Sequence, residues 1–217
     1  MPPRVRLALS VLVGAVVGVL AVVVATGGPG RPAPLNLVDG FAGAQLPPAI
    51  PPADFALHDQ DGRLVRLSDY AGKVVILSFL YSTCQDTCPL IAQQIRGALD
   101  QLGRPVPALA VSVDPTQDTP LNVRRFLLKQ SVTGRLRFLL GSRAALAPIW
   151  HGYGIGPQTP GQGSRSDHSV DVVLVDRTGR ARIGFPADLL SPEPLVHDIR
   201  ALEALPLPAH PPARVKL

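Results

Sequence analysis

Short apolar runs alternate along most of the chain with polar, turn-forming segments, and the runs change period from one to the next. Residues 74–80 and 106–113 are almost continuously Val, Ile, Leu and Ala, which predicts strands buried on both faces. Residues 55–58 and 63–67 flank Asp59-Gln60-Asp61-Gly62, and 170–175 and 181–185 flank Asp176-Arg177-Thr178-Gly179-Arg180. Each pair predicts a hairpin closed on a glycine turn. A short strand is predicted at 136–140. Helical spacing occupies 89–102, where Leu90, Ile91, Gln94, Ile95, Ala98 and Leu102 recur near the 3.6-residue period. Thr119 followed by Pro120 makes an N-cap and first helical position for 120–129. Shorter helices are predicted at 143–150 and 195–205. Alternation of this kind predicts an α/β sandwich whose central sheet is covered on both faces and opens with an N-terminal hairpin.

The two ends read differently. Residues 7–25 form a 19-residue run without a charge. As a helix it would span about 28 Å, close to the hydrocarbon thickness of a bilayer. Arg4 and Arg6 precede it and no basic residue follows until Arg31, so the amino end is expected inside and the rest outside the cytoplasm. A cleaved signal peptide is the rival; its apolar core usually runs only about 7–15 residues, although the small residues 21–28 keep cleavage open. Residues 27–52 are rich in Pro, Gly and Ala and predict a semi-stiff spacer, and 206–217 a Pro-rich frayed tail. The expected organisation is therefore an anchor at 1–27, a linker at 28–50, one folded domain at 51–205 and a tail at 206–217.

Composition narrows the chemistry. The chain has 217 residues, 46% hydrophobic and 17% charged, enough to bury a core. Two cysteines exclude a disulfide-rich scaffold and a four-cysteine zinc site. The net charge is +5, but the basic residues are scattered with no Lys/Arg run interleaved with aromatics, so no nucleic-acid partner is expected.

The informative stretch is Tyr81-Ser82-Thr83-Cys84-Gln85-Asp86-Thr87-Cys88-Pro89, where a buried strand ends and a helix begins. With Pro89 in the first turn, Cys88 is expected at or near the N-cap, where unpaired N–H groups and the helix dipole lower a thiol pKa. Outside the cytoplasm two such thiols tend toward a disulfide unless a metal or reductant holds them. Two inert buried cysteines are the bland alternative. Two thiolates need a further donor, and the histidines are His58, His151, His168, His197 and His210. His168, in Ser166-Asp167-His168-Ser169 before a strand, can face the cysteine loop. Taken alone, a histidine before a strand is more often a surface or supporting residue than a ligand.

These segments carry a resemblance. Tyr81 to Pro89, then Val111-Ser112-Val113-Asp114-Pro115 with Asp118-Thr119-Pro120, then Asp167-His168-Ser169, resemble the Sco/SenC family in order and spacing over about residues 51–205. The resemblance implies a thioredoxin-like fold with a central mixed sheet, preceded by one transmembrane helix. It implies one copper ion, Cu(I) or Cu(II), held by Cys84, Cys88 and His168. It also implies a single-pass protein of the bacterial inner membrane with its domain on the periplasmic side. Its expected work is copper delivery to cytochrome c oxidase subunit II or another cuproprotein, with a copper donor upstream. Gln85 and Ser82 depart from the family's usual Pro and Thr, and neither change removes a ligand.

The donor set suits that ion by itself, since two thiolates and an imidazole favour Cu(I). Asp114 and Asp118 are expected in turn and cap roles, with support of the cysteines as the alternative. Asp86 could steer a cationic partner, Asp167 could orient the histidine, and Trp150 and Tyr153 are expected in the core. The competing function is a thiol–disulfide oxidoreductase using Cys84 and Cys88 without His168. It is disfavoured by three residues between the cysteines and by the lack of a proline beside His168. A peroxidase lacks its Pro-x-x-x-Thr-x-x-Cys run.

Overall fold

The computed structural model describes residues 12–19, 21, 34–47, 53–155, 171–209, 213 and 215–217. The chain separates into two units, Met1–Pro34 and Leu35–Leu217. In the first, residues 12–19 are helical and exposed. Among the described residues no helix is long and apolar enough to cross a membrane. The remainder of the expected span at 7–25 lies outside the described residues.

The second unit runs β1 (Ala44–Gln45), β2 (Ala53–Asp54), β3 (Ala56–Asp59), β4 (Leu64–Arg66), β5 (Val75–Leu80), α1 (Thr87–Leu102), β6 (Ala108–Ser112) and α2 (Pro120–Lys129). It continues with β7 (Arg137–Leu140), α3 (Arg143–Gly152), β8 (Val172–Val175), β9 (Ala181–Phe185), α4 (Pro192–Ala204) and β10 (Val215–Lys216). Eight strands form one mixed sheet in the order β1-β9-β8-β5-β6-β7-β3-β4. β5, β6 and β7 are parallel, while β8 lies antiparallel against β5 and β3 against β7.

The continuous apolar runs follow from burial on two faces. Along β5, Ile76 and Leu80 face a core shared with α1, α2 and α4, whereas Val75, Leu77 and Phe79 face a second core shared with α3. β6 divides the same way, Ala108 and Ala110 against Leu109 and Val111. Both predicted hairpins form. Asp59 and Asp176 each accept N–H bonds from residues two and four positions on, across turns in which Gly62 and Gly179 take φ of 78° and 89°.

Three details differ from expectation. α1 starts at Thr87, and its buried face is Cys88, Ile91, Ala92, Ile95, Ala98 and Leu99, leaving Leu90 exposed. The expected linker region contains β1, which pairs with β9 and sits beside buried Phe41. Asp198 of α4, fully buried, accepts the Ala42 and Gly43 N–H groups at 2.8 Å each and fastens this strand. The expected tail returns as β10, parallel to β2. A two-residue strand carries no period of its own; partner backbone groups create it.

Candidate metal centre

β5 ends at Leu80, and residues 81–86 turn the chain into α1 at the carboxyl end of the parallel strands, where open α/β sheets place their chemistry. The helix cap is Asp86, with φ −113° and ψ −81° and no side-chain cap bond. The acceptor at this helix end is instead a sulfur: Cys88 N–H donates to Cys84 Sγ at 3.2 Å. Cys84 and Cys88 are 6% and 5% exposed, and both are free.

The two thiols titrate in opposite directions. The Cys84 thiol is lowered to about 5, chiefly because the Cys88 thiol donates to it; the Cys88 and Asp86 N–H groups and the Tyr81 hydroxyl add to this against the cost of burial. Cys88 is pushed up for the matching reason, holding its proton toward Cys84 in a buried position. The Tyr81 hydroxyl is also raised, by burial and then by its bond to Cys84. The pair thus carries one negative charge and one proton at neutral pH. This corrects the expected assignment of the thiolate to Cys88. Starting the helix two residues early moves Cys88 into the first turn and turns its side chain inward, so the N–H groups address Cys84.

A polar relay holds the loop from behind. Ser82 N–H donates to Asp118 Oδ1 at 2.6 Å, Ser112 Oγ donates to Asp118 Oδ2 at 2.5 Å, and Trp150 Nε1 donates to the Ser112 carbonyl at 2.9 Å. Asp118 is 6% exposed. Burial raises its pKa, against the bonds from Ser112 and Ser82. The two acidic residues of this segment therefore part company. Asp114 does turn chemistry, accepting from Thr116 and Gln117 N–H, and Thr119 caps α2 through Asn122 N–H. Asp118 supports the cysteine loop, the role sequence reasoning ranked second. Tyr81 was missed as a donor; its place between strand end and first cysteine was the available signal. Trp150 is buried as expected, and the Tyr153 ring lies 5.4 Å from that of Phe79.

Of the histidines, His58 is exposed on β3, His151 is exposed in the last turn of α3, and His197 Nδ1 lies 2.8 Å from Asp198 Oδ1. His168, Asp167 and His210 lie outside the described residues. Among the described residues no three His, Cys, Asp or Glu side chains gather closely enough to hold a metal ion. The described residues just before and just after positions 156–170 contact β5 near its carboxyl end. Phe79 N–H donates to the Asp171 carbonyl at 3.2 Å, and Tyr153 packs on the same phenylalanine.

The profile of the SCO1/SenC family matches residues 44–204. The chain belongs to the SCO1/SenC family. Its similarity to "Protein SCO2 homolog, mitochondrial" of Bos taurus is 31% identity over 140 residues, covering 60% of this chain and 52% of that protein. The human protein of the same name is 29% identical over 140 residues, covering 60% and 52% respectively. The chain thus spans about half the length of the curated relatives it matches. Among solved structures, Bradyrhizobium japonicum ScoI with copper bound is 28% identical, with TM-score 0.54 over 69% of this chain and 98% of that one. Apo Sco1 from Thermus thermophilus is 28% identical, with TM-score 0.61 over 75% and 96%. The thioredoxin-like fold expected from the resemblance is therefore the fold of this SCO1/SenC chain.

Proposed function

We propose that this SCO1/SenC protein binds one copper ion through Cys84, Cys88 and His168 and delivers it to a cuproprotein, with subunit II of cytochrome c oxidase as the target the family suggests. The observation that carries this reading is the convergence of the chain's two sulfurs at one helix end, one as thiolate, with Cys88 N–H on Cys84 Sγ. Soft sulfur donors select Cu(I) over harder ions, and three donors leave a side open for a recipient's ligands. His168 stands three residues before Asp171, within about 11 Å of chain from a residue already bonded to β5. A solved relative, ScoI of Bradyrhizobium japonicum, has copper bound. Binding expels the proton that Cys88 holds, so copper uptake is coupled to deprotonation.

Residues 7–25, with Arg4 and Arg6 before them, would anchor the protein in the bacterial inner membrane with the domain on the periplasmic side. The rival reading, thiol–disulfide exchange, draws on the same low-pKa Cys84. Reconstitution with Cu(I) under reducing conditions separates the two. Copper delivery requires one equivalent in the native chain and weaker binding in His168→Ala. Unchanged copper binding in that variant, together with fast reduction of a disulfide substrate by the reduced Cys84/Cys88 pair, would favour the exchange enzyme.

A further inference from the structure

At the pole opposite the cysteines, the amino ends of β5 and β6 open onto a cleft of about 960 Å³, within the size range of small-ligand sites. Five basic side chains line it against two carboxylates. Both carboxylates are engaged: Asp100 of α1 lies 2.7 Å from Arg135, and Glu203 of α4 pairs with Arg104. Arg177 is committed to backbone, donating to the carbonyls of Glu203 at 2.7 Å and Leu205 at 3.1 Å as α4 ends. Lys73 and Arg137 remain, and among the described residues neither has a carboxylate partner.

Their placement is built in. The Lys73 N–H bonds to the Tyr70 carbonyl, and the adjacent Gly72 N–H, at φ 81°, bonds to the Arg177 carbonyl at 2.9 Å. Arg137 opens β7 opposite Leu109. Across β5-β6-β7, Arg137 is level with Leu109 and Leu77, so Lys73 stands two strands across and four residues further toward the amino end, and the half-buried Tyr70 ring lines the same cleft. Arg137 acts on the Tyr70 hydroxyl strongly enough to oppose its upward shift from burial. Val74, Val106 and Ala108 make the floor apolar. Two unneutralised cations, a hydroxyl and a greasy floor recognise a small anion with several oxygens.

We propose that this cleft is a second binding site, for a small phosphate-bearing anion held by Lys73 and Arg137 with Tyr70 as a further donor. The ligand's source is either a soluble phosphate compound or the headgroup of an anionic phospholipid. The site lies the length of β5, roughly 20 Å, from the sulfur pair and works independently of copper. The full chain, copper-free in neutral detergent, is titrated calorimetrically at constant ionic strength with inorganic pyrophosphate. Parallel titrations use dihexanoyl phosphatidylglycerol and dihexanoyl phosphatidylcholine below their micelle thresholds.

Saturable one-to-one binding of pyrophosphate, weakened at least tenfold in Lys73→Gln/Arg137→Gln, supports a soluble ligand. Binding of the glycerol lipid alone, with the same loss in the variant, supports a headgroup. Both substituted residues are exposed, and an unchanged Cu(I) stoichiometry shows that the variant is folded. The single variants report each cation separately. Saturation by none of the three probes, or equal binding by native and double variant, overturns the proposal.

Discussion

The two ends of β5 handle charge in opposite ways. At its carboxyl end, one thiolate sits almost buried, held by N–H groups, a thiol, a phenol and a carboxylate relay. At its amino end, cations stand in open solvent; Arg104 and Arg135 are tied by exposed pairs and Arg177 by backbone carbonyls. Burial makes the first end sensitive to single atoms, because a lost partner leaves a desolvated group unmet. Exposure makes the second end tolerant, since water and salt replace what is removed. Chemistry that must discriminate one soft ion belongs at the first end; recognition by summed charge suits the second.

The largest break in this contrast comes from the sulfurs. Cys84→Ser or Cys88→Ser should weaken Cu(I) binding, measured by competition with a chromophoric chelator, by well over the roughly 100-fold that supporting residues around a metal command. Asp118→Ala comes next. Losing its bonds to Ser82 and Ser112 should lower copper affinity about 10- to 100-fold and cost roughly 1.5–3 kcal/mol in denaturant unfolding. Asp118→Asn keeps an acceptor for Ser82 and should recover part of both losses.

Proton coupling gives an intermediate effect. With Cys84 already ionised and Cys88 protonated, copper affinity should rise about tenfold for each pH unit above 7, one proton leaving per ion bound. In the copper-free chain, alkylation of Cys84 should persist into mild acid and halve only near pH 5, because its lowered pKa keeps the thiolate above that point. A flat copper profile, or alkylation that halves near pH 8.5, would contradict the assignment of charge. The smallest effect belongs to the far end: Arg104→Gln, breaking the exposed pair with Glu203, should change stability by less than about 1 kcal/mol and leave copper binding alone.

Much of this architecture was legible where burial writes itself into composition. β5 and β6 are apolar on both faces because two cores claim alternate residues, and Thr119-Pro120 starts α2 as expected. The candidate site was legible as residue types, less so as roles. Asp114 and Asp118 look alike in a turn-rich segment, and only burial behind the cysteine loop makes Asp118 a support. Likewise, which cysteine is ionised depends on a helix start that spacing leaves uncertain by two residues. β1 and β10 had no signal, since edge pairing to β9 and β2 creates them.

The most direct test of the central claim is copper K-edge absorption of the Cu(I)-loaded chain beside its His168→Ala variant. Two sulfurs and one imidazole nitrogen around each ion, with the nitrogen lost in the variant, is the predicted result. A shell of sulfur alone in the native chain, or a nitrogen signal that survives the substitution, would contradict it.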